Sequence, residues 1–228
     1  MSKQTIAIIG GGASALMFAS EIDTSKYNVT IYERNQGLGR KFLVAGKGGF
    51  NLTHSSPIAE MKEKYVASSP ILKSLEYFDN EQFIACLKTE GINTFVGSSK
   101  RIFPVKPTKP IQVLKTFEDK IKKNGVEIIY NYTWIGFSED GLLFETSEGE
   151  TNIKADKVIF SLGGASWKIT GSQGEWLPFF EEKEIKTIPF SPSNCGVEIK
   201  WKEKFVNQHE GTPLKSIAIS CGDLSKKG

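Results

Sequence analysis

The chain has few of the features that mark secreted, metal-binding or redox-dithiol proteins. Among its 228 residues are three cysteines, Cys86, Cys195 and Cys221, which are far apart and form no C-x-x-C pair. This number and spacing argue against a disulfide framework and favour a reduced, cytoplasmic protein. The two histidines, His54 and His209, are too far apart in the sequence to indicate a metal site.

Long apolar runs and an excess of one charge are also lacking. No segment reaches the roughly 18 consecutive apolar residues that a membrane-spanning helix requires, so we expect no membrane. Residues 6–19 could pass for the core of a signal peptide, but three consecutive glycines inside them argue against it. The formal net charge is only +3, which gives little reason to expect a nucleic-acid partner.

The most informative feature present is a glycine-rich turn directly after a short apolar run. Residues 6–9 predict a buried strand, and the residues that follow have the G-x-G-x-x-A spacing of dinucleotide-binding turns, from Gly10 through Gly12 to Ala15. Gly10 would permit the tight turn, and Gly12 would let the backbone approach a pyrophosphate. Ala15 would let the next helix pack closely on the strand, with the free N–H groups of its first turn facing the phosphates.

An acidic residue ends the next predicted strand, residues 28–32. Glu33 follows Ala15 by 18 positions, close to the spacing of about 20 expected for a ribose-binding acid. A carboxylate there would accept hydrogen bonds from both ribose hydroxyls and repel a 2′-phosphate, although the neighbouring Arg34 weakens that preference. A solvated glutamate at a strand end is the alternative.

The rest of the chain predicts helices, a β-meander and a second glycine-rich turn. Helices are expected at 81–90, with Asn80 as N-cap, and at 111–124. Short apolar runs separated by turn residues predict a three-stranded meander between 133 and 155. A buried strand at 157–161 then leads into Leu162-Gly163-Gly164.

The composition changes near Pro189, where prolines and strand-like runs begin. We therefore predict a first domain over residues 1–188 and the start of a β-rich second domain over residues 189–228. The chain ends without finishing a hydrophobic pattern, so we expect the natural protein to continue.

The segment from Gly37 to Thr53 contains five glycines and three basic residues. Such a composition resists regular structure and exposes many backbone N–H groups that could surround an anion. Arg40 is the strongest candidate for phosphate contact, and Lys41 is a weaker one. A solvated basic loop is the alternative.

Taken together, these segments resemble the HI0933-like family of NAD(P)/FAD-dependent oxidoreductases over essentially the whole chain. The most specific marker is the loop from Gly39 to His54. Its companions are residues 10–17, Glu33, Arg101-Ile-Phe-Pro, residues 155–166 and Pro192-Ser-Asn-Cys-Gly. Many family members carry Arg and Cys before the Asn of the loop, whereas Gly49 and Phe50 stand there in this chain, so no role of that cysteine is transferred.

The resemblance implies an α/β fold, with a Rossmann-like FAD-binding domain that has a central parallel sheet and a three-stranded β-meander, plus the start of a second β-rich domain. It implies FAD as the cofactor, which would accept hydride from NAD(P)H and reduce a small-molecule substrate or electron acceptor. Family members complete the flavin pocket with a C-terminal strand and helix. The chain would then be roughly the first half of the family pattern, and we expect FAD to be weakly held or absent in it.

The resemblance also implies the cofactor-binding residues, while no catalytic residue stands out. The first turn would hold the pyrophosphate, Glu33 the adenosine ribose, and the backbone at Trp134 or Ile135 the adenine. Basic residues would neutralise phosphate charge, two polar residues of the 39–54 loop would lie near the ribityl chain or the ring, and the second turn would approach the cofactor from its other side. The complete set is Gly10, Gly12, Ala13, Ser14, Ala15, Glu33, Arg34, Arg40, Lys41, Asn51, Thr53, Trp134, Ile135, Ser161, Gly163 and Gly164.

Two other functions remain open from the sequence. The same fingerprint suits an NAD-binding dehydrogenase, although the meander and the second glycine-rich strand end fit a flavoprotein better than the repeated βα units of such an enzyme. An FAD-binding RNA-modification or partner protein without independent redox turnover is also possible, since the sequence pI is 8.6. Neither a basic stripe nor base-stacking aromatics support it.

Overall fold

The computed structural model describes residues 2–44, 50–66, 69–97, 100–166, 168–171, 173–192, 198–212 and 217–227, along which strands and helices are interspersed. The strands in these residues are β1 (Gln4–Ile9), β2 (Tyr27–Glu33), β3 (Thr53–His54), β4 (Thr94–Val96), β5 (Arg101–Pro104), β6 (Glu127–Tyr130), β7 (Thr133–Phe137), β8 (Leu142–Thr146), β9 (Gly149–Ile153), β10 (Lys157–Phe160), β11 (Ala218–Cys221) and β12 (Leu224–Lys227). The helices are α1 (Ala13–Glu21), α2 (Arg40–Val44), α3 (Ile58–Lys62), α4 (Pro70–Tyr77), α5 (Asn80–Thr89), α6 (Pro110–Lys123), α7 (Leu177–Glu181) and α8 (Glu203–His209).

A parallel sheet with strand order β10-β1-β2-β6 forms the centre of the first compact unit, residues 1–190. β1 is an inner strand, which explains why its apolar run is buried on both faces. Because the strands are parallel, the carboxyl ends of β10, β1 and β2 meet at one edge of the sheet. The glycine-rich turn follows β1 at that edge, where open α/β sheets bind their ligands.

Alternate residues of β1 face two different cores. Ile6 and Ile8 contribute to an aliphatic core with α1 and α6, in which the small residue Ala15 is fully buried. Ala7 and Ile9 contribute to a core on the other face, which is rich in aromatic residues from the antiparallel meander β7-β8-β9 and from α7. The central parallel sheet and the meander are both as predicted.

Two local predictions differ from the structure. The prolines at 104, 107 and 110 predict a turn-rich connection that begins at Arg101. In the structure Arg101–Pro104 is strand β5, which pairs antiparallel with β3 and β4. The prediction of Asn80 as the N-cap of α5 is wrong. Asp79 caps the helix by accepting hydrogen bonds from the N–H groups of Glu81 and Gln82, while the Asn80 amide donates to backbone oxygens at 54 and 56. Asp and Asn are both residue types that cap helices. Here the contact of the Asn80 side chain with the backbone at 54 and 56 leaves Asp79 as the cap.

The second compact unit, residues 191–228, contains α8 and the hairpin β11–β12. That this unit begins another domain stays a prediction. Trp167, Cys195 and residues 45–49 of the basic loop lie outside the described residues. No helix in the described part of the chain is both long and apolar enough to cross a bilayer.

Lys120 on α6 joins three helices of the first unit. Its Nζ lies 2.7 Å from Oε1 of Glu21, the last residue of α1, and 2.9 Å from Oε1 of Glu90, the residue after α5. Its hydrogen bond to Glu21 raises the pKa of Lys120 above 10.5, and its hydrogen bond to Glu90 adds to the rise. The ammonium is therefore fully charged at neutral pH. The stabilisation is complete below the ordinary lysine pKa and is lost as the pH rises through the raised value.

We predict that Lys120→Met lowers the free energy of unfolding by about 1 kcal/mol at pH 7, because Glu90, which is largely buried, loses its cation. The matched control is Lys115→Met, which removes an exposed pair with Asp119 on the same helix and should cost under about 0.5 kcal/mol. Urea unfolding measures both, and the effect of Lys120→Met should shrink above about pH 10.5. Equal losses for the two variants would contradict the assignment.

Candidate functional site

A cavity of about 340 Å³ opens at the carboxyl ends of β1, β2 and β10. Its walls come from several parts of the chain, most of them distant in sequence. They are drawn from residues 9–12, 32–41, 132–135, 161–163 and the segments 170–171 and 173–179. The cavity therefore lies where the two glycine-rich turns and the start of the meander converge.

The three glycines of the first turn are required for different reasons. Gly10 has a φ of +94°, and a Cβ on it would lie 2.7 Å from the carbonyl oxygen of Ser161. A Cβ on Gly11 would collide with Leu38 and lie 3.0 Å from a carboxylate oxygen of Glu33. Gly12 has an ordinary φ of −80°, and the nearest protein atom to its Cβ would be 4.0 Å away. Packing thus demands glycine at 10 and 11, whereas at 12 the missing side chain leaves open space at the cavity wall.

Helix α1 begins at this open space. Gly12 is its N-cap, and neither a side-chain cap nor an acidic residue occupies its first turn. The first turn of a helix carries N–H groups without partners inside the helix and the positive end of its dipole. The Ser14 hydroxyl lies 2.5 Å from the Ser161 hydroxyl, which brings together the two turns that the sequence assigns to the cofactor. These groups can donate hydrogen bonds to an anion.

Glu33 ends β2 and is buried, with 7% of its surface exposed. One carboxylate oxygen, Oε2, accepts the N–H of Gly11 at 2.6 Å. The other, Oε1, accepts the backbone N–H and the side-chain amide of Asn35 at 2.8 and 2.6 Å. A carboxylate can accept about four hydrogen bonds, so these three leave capacity for a hydroxyl donor from the cavity.

The cations that follow Glu33 surround the cavity and contact protein atoms. The Arg34 guanidinium donates to the carbonyl oxygen of Gly171, and Lys41 donates to the Ser166 hydroxyl. Both contacts connect the segment after β2 with the segment after β10. Arg40 donates to Oδ1 of Asn35 at 3.1 Å. Three cations and the exposed Glu175 therefore line the cavity together with the buried Glu33 carboxylate.

The meander presents an irregular strand to the cavity. The pairing of β7 with β8 shifts register between Trp134 and Gly136, so Ile135 lies in a β-bulge outside the regular ladder. Trp134 is buried among aromatic side chains, with Phe160 at 4.8 Å between ring centroids. Burial raises the pKa of Tyr32 at the same wall, so its phenol is neutral at pH 7. The bulge brings the backbone of Ile135 to the cavity.

Most of the predicted site residues line this cavity, and six of them do not. Those on the wall are Gly10, Gly12, Glu33, Arg34, Arg40, Lys41, Trp134, Ile135, Ser161 and Gly163. Ala13 and Ser14 are the first two residues of α1, directly after Gly12, and Ala15 is fully buried. Gly164 follows Gly163 in the sequence. Asn51 and Thr53 belong to the segment of β3, in a different sheet. Their contact with a flavin stays a prediction.

Sequence reasoning missed Gly11, Asn35 and Gly39. The Gly39 N–H donates to the Gly11 carbonyl oxygen at 2.8 Å, and its φ is +61°. A Cβ on Gly39 would lie 2.6 Å from Leu114. A signal for Gly11 was available, because the fingerprint demands glycine only at the first and third positions. A third glycine between them indicates a close neighbour, which is Glu33.

Residues 4–217 match the family described as "HI0933-like protein Rossmann domain". The chain belongs to this family. The match confirms the resemblance seen in the sequence, and with it the Rossmann-like FAD-binding fold and a family of FAD-dependent oxidoreductases.

Similar proteins differ in their described activities. A ribosomal RNA dihydrouridine synthase of Haemophilus influenzae is 22% identical over 222 residues, covering 94% of this chain and 54% of that protein. A 3-dehydro-bile acid delta(4,6)-reductase of Clostridium scindens is 28% identical over 207 residues, covering 86% and 47%. This chain spans about half the length of these curated relatives.

A solved structure has the same fold over most of the chain. It is the 3-ketosteroid-delta4-(5alpha)-dehydrogenase of Rhodococcus jostii RHA1 in complex with 4-androstene-3,17-dione. The TM-score is 0.53 at 14% identity, covering 71% of this chain and 46% of that one. At this identity the likeness is one of fold alone.

We predict that alanine at positions 10, 11 and 12 separates packing from ligand space. Gly10→Ala and Gly11→Ala should each lower the free energy of unfolding by about 2 kcal/mol, because a Cβ there meets protein atoms. Gly12→Ala should cost less than about 1 kcal/mol. Denaturant unfolding of the three variants measures this order, and a Gly12 variant as unstable as the Gly10 variant would contradict it.

Proposed function

We propose that this chain binds the ADP half of FAD in the cavity at the end of β1. The observation that carries the proposal is the open space beside Gly12, which the protein's own packing does not require. The space lies between the first turn of α1, which is without a side-chain cap, and the buried Glu33 carboxylate. An anion-binding turn with a hydroxyl acceptor beside it suits a nucleotide diphosphate.

In this proposal each part of the cofactor meets one group of residues. The diphosphate lies on the backbone from Gly12 to Ala15, with Arg40 and Lys41 near its charge. The ribose bonds to Glu33, and the adenine meets the bulge at Trp134 and Ile135. The flavin half extends past the second glycine-rich turn, from Ser161 to Gly164, toward Asn51 and Thr53.

The activity proposed is an FAD-dependent oxidoreduction with NAD(P)H as donor. When bound, the flavin supplies hydride transfer, and the protein binds and orients it. For the acceptor we infer a carbon–carbon double bond conjugated to a carbonyl group. Making dihydrouridine saturates such a bond in a uracil ring, and a delta(4,6)-reductase acting on a 3-dehydro substrate saturates such bonds in a steroid. Conjugation makes the β-carbon electrophilic, which suits it to accept hydride.

An RNA acceptor is the second candidate, favoured by the name of the Haemophilus relative. RNA binding would weaken steeply with salt, because phosphate neutralisation releases counterions, whereas a small neutral acceptor would show no such dependence. Comparing turnover of free uridine and of ribosomal RNA at two salt concentrations distinguishes the two.

We predict that the purified chain binds FAD weakly, through its ADP half, and that Gly12→Ala weakens this binding at least about tenfold further because a methyl group enters the space for the diphosphate. Flavin absorbance after equilibrium dialysis, with mass-spectrometric identification of the bound nucleotide, measures it. The control is Gly91→Ala, at a strained turn after α5 that does not line the cavity. It should cost stability and leave FAD affinity unchanged. No FAD binding, or equal affinity in the wild type and the Gly12 variant, would overturn the proposal.

We also predict that the FAD-loaded chain oxidises NAD(P)H anaerobically when an enone such as 4-androstene-3,17-dione is added. The matched control is the corresponding saturated diketone, which lacks the double bond, so oxidation of NAD(P)H should stop at about one equivalent per bound FAD, once that FAD is reduced. Absorbance at the nicotinamide band follows the reaction. Equal turnover with both ketones, or no consumption beyond the first equivalent with either, would contradict the acceptor class.

A further inference from the structure

Asn35 occupies the centre of a hydrogen-bonded chain that reaches the glycine-rich turn. Its backbone N–H and its side-chain amide both donate to Oε1 of Glu33, and its Oδ1 accepts the Arg40 guanidinium. Glu33 continues the chain through Oε2, which accepts the N–H of Gly11. The order is therefore Arg40, Asn35, Glu33 and Gly11, with each member bonded to the next.

This chain fixes the carboxylate in both position and rotation. Two donors bond to Oε1 and one bonds to Oε2, so both oxygens are held. Because Glu33 is buried, each of these bonds is stronger than it would be in water, and the loss of one would leave a buried charge undersatisfied. The cation on Oδ1 polarises the Asn35 amide and makes its N–H a better donor to Glu33.

The remaining acceptor capacity of Glu33 suits a hydroxyl group. A ribose hydroxyl can donate to a carboxylate, whereas a deoxyribose carbon cannot. Arg34 follows Glu33 in the sequence, but its guanidinium donates to the carbonyl oxygen of Gly171. It therefore does not take up the remaining acceptor capacity of Glu33. At the ribose position the site therefore presents a fixed acceptor.

We propose that Asn35 is a positioning residue that holds Glu33 for the ribose hydroxyls and so sets the preference of the site for a ribose over a deoxyribose nucleotide. This inference rests on the proposed function, since it assumes a nucleotide in the cavity. Asn35 also lines the cavity, and in this proposal it acts through its bonds to Glu33.

The test compares two probes, ADP and 2′,3′-dideoxy-ADP, on the purified 228-residue chain by isothermal titration calorimetry. The wild type should prefer ADP by about tenfold, as expected for a hydrogen bond to a charged group. Asn35→Ala removes one donor to Oε1 and the acceptor for Arg40, and it should reduce this preference to about twofold. A merely structural role would weaken both probes alike and leave the ratio at its wild-type value.

Three further variants keep the test decisive if Asn35→Ala does not fold. Asn35→Asp has the same shape but puts an acceptor against Glu33, so it should also lose the preference. Arg40→Met leaves the Asn35 donors in place. It should therefore lower the ratio of the two affinities by a factor of only about two. Gln36→Ala, at the exposed neighbouring position, is the control and should keep both affinities.

The outcomes separate the two proposals. A wild-type chain that binds neither nucleotide overturns the proposed function. A wild type that binds both nucleotides equally overturns this inference while nucleotide binding stands. A preference that persists in Asn35→Asp and in any folded Asn35→Ala protein overturns the positioning role of Asn35 alone.

Discussion

The contact between the Glu33 carboxylate and the Gly11 N–H is the constraint on which the site depends. It joins the loops after β1 and β2 at 2.6 Å in a buried position. Two backbone bonds continue from the same pair, because the Gly39 N–H donates to the Gly11 carbonyl oxygen and the Tyr132 N–H donates to the Glu33 carbonyl oxygen. Three loops are thereby held at fixed positions around one cavity.

The sheet makes this contact possible. β1 and β2 are parallel neighbours, so the glycine-rich turn and Glu33 emerge at the same edge. Glycine at position 11 then lets the carboxylate approach the backbone, and glycine at position 10 lets the turn pass the end of β10. At Gly12, by contrast, the missing side chain leaves a space that these contacts do not fill. The same three-residue run thus serves both the fold and the proposed ligand.

Much of the fold was predictable because it follows from short patterns. The buried strand, the G-x-G-x-x-A turn and the alternating runs of the meander each lie within a few residues, and they predicted the parallel sheet and the position of the cavity. The partners of Arg34 and Lys41 were not predictable, because each is a residue brought near only by the fold. The partner of Lys41, for example, is Ser166, more than a hundred positions away. The role of Asn35 has a different origin, since its partners Glu33 and Arg40 are close in sequence but their bonds depend on the path of the loop after β2.

The central claim is that Glu33, held by Gly11 and Asn35, receives the ribose of a nucleotide whose diphosphate lies at Gly12. A crystal structure of the chain with ADP tests this most directly. The account predicts a ribose hydroxyl within about 3 Å of the Glu33 carboxylate and the diphosphate against the first turn of α1. An ADP bound elsewhere, or bound in the cavity with its ribose turned away from Glu33, would contradict it.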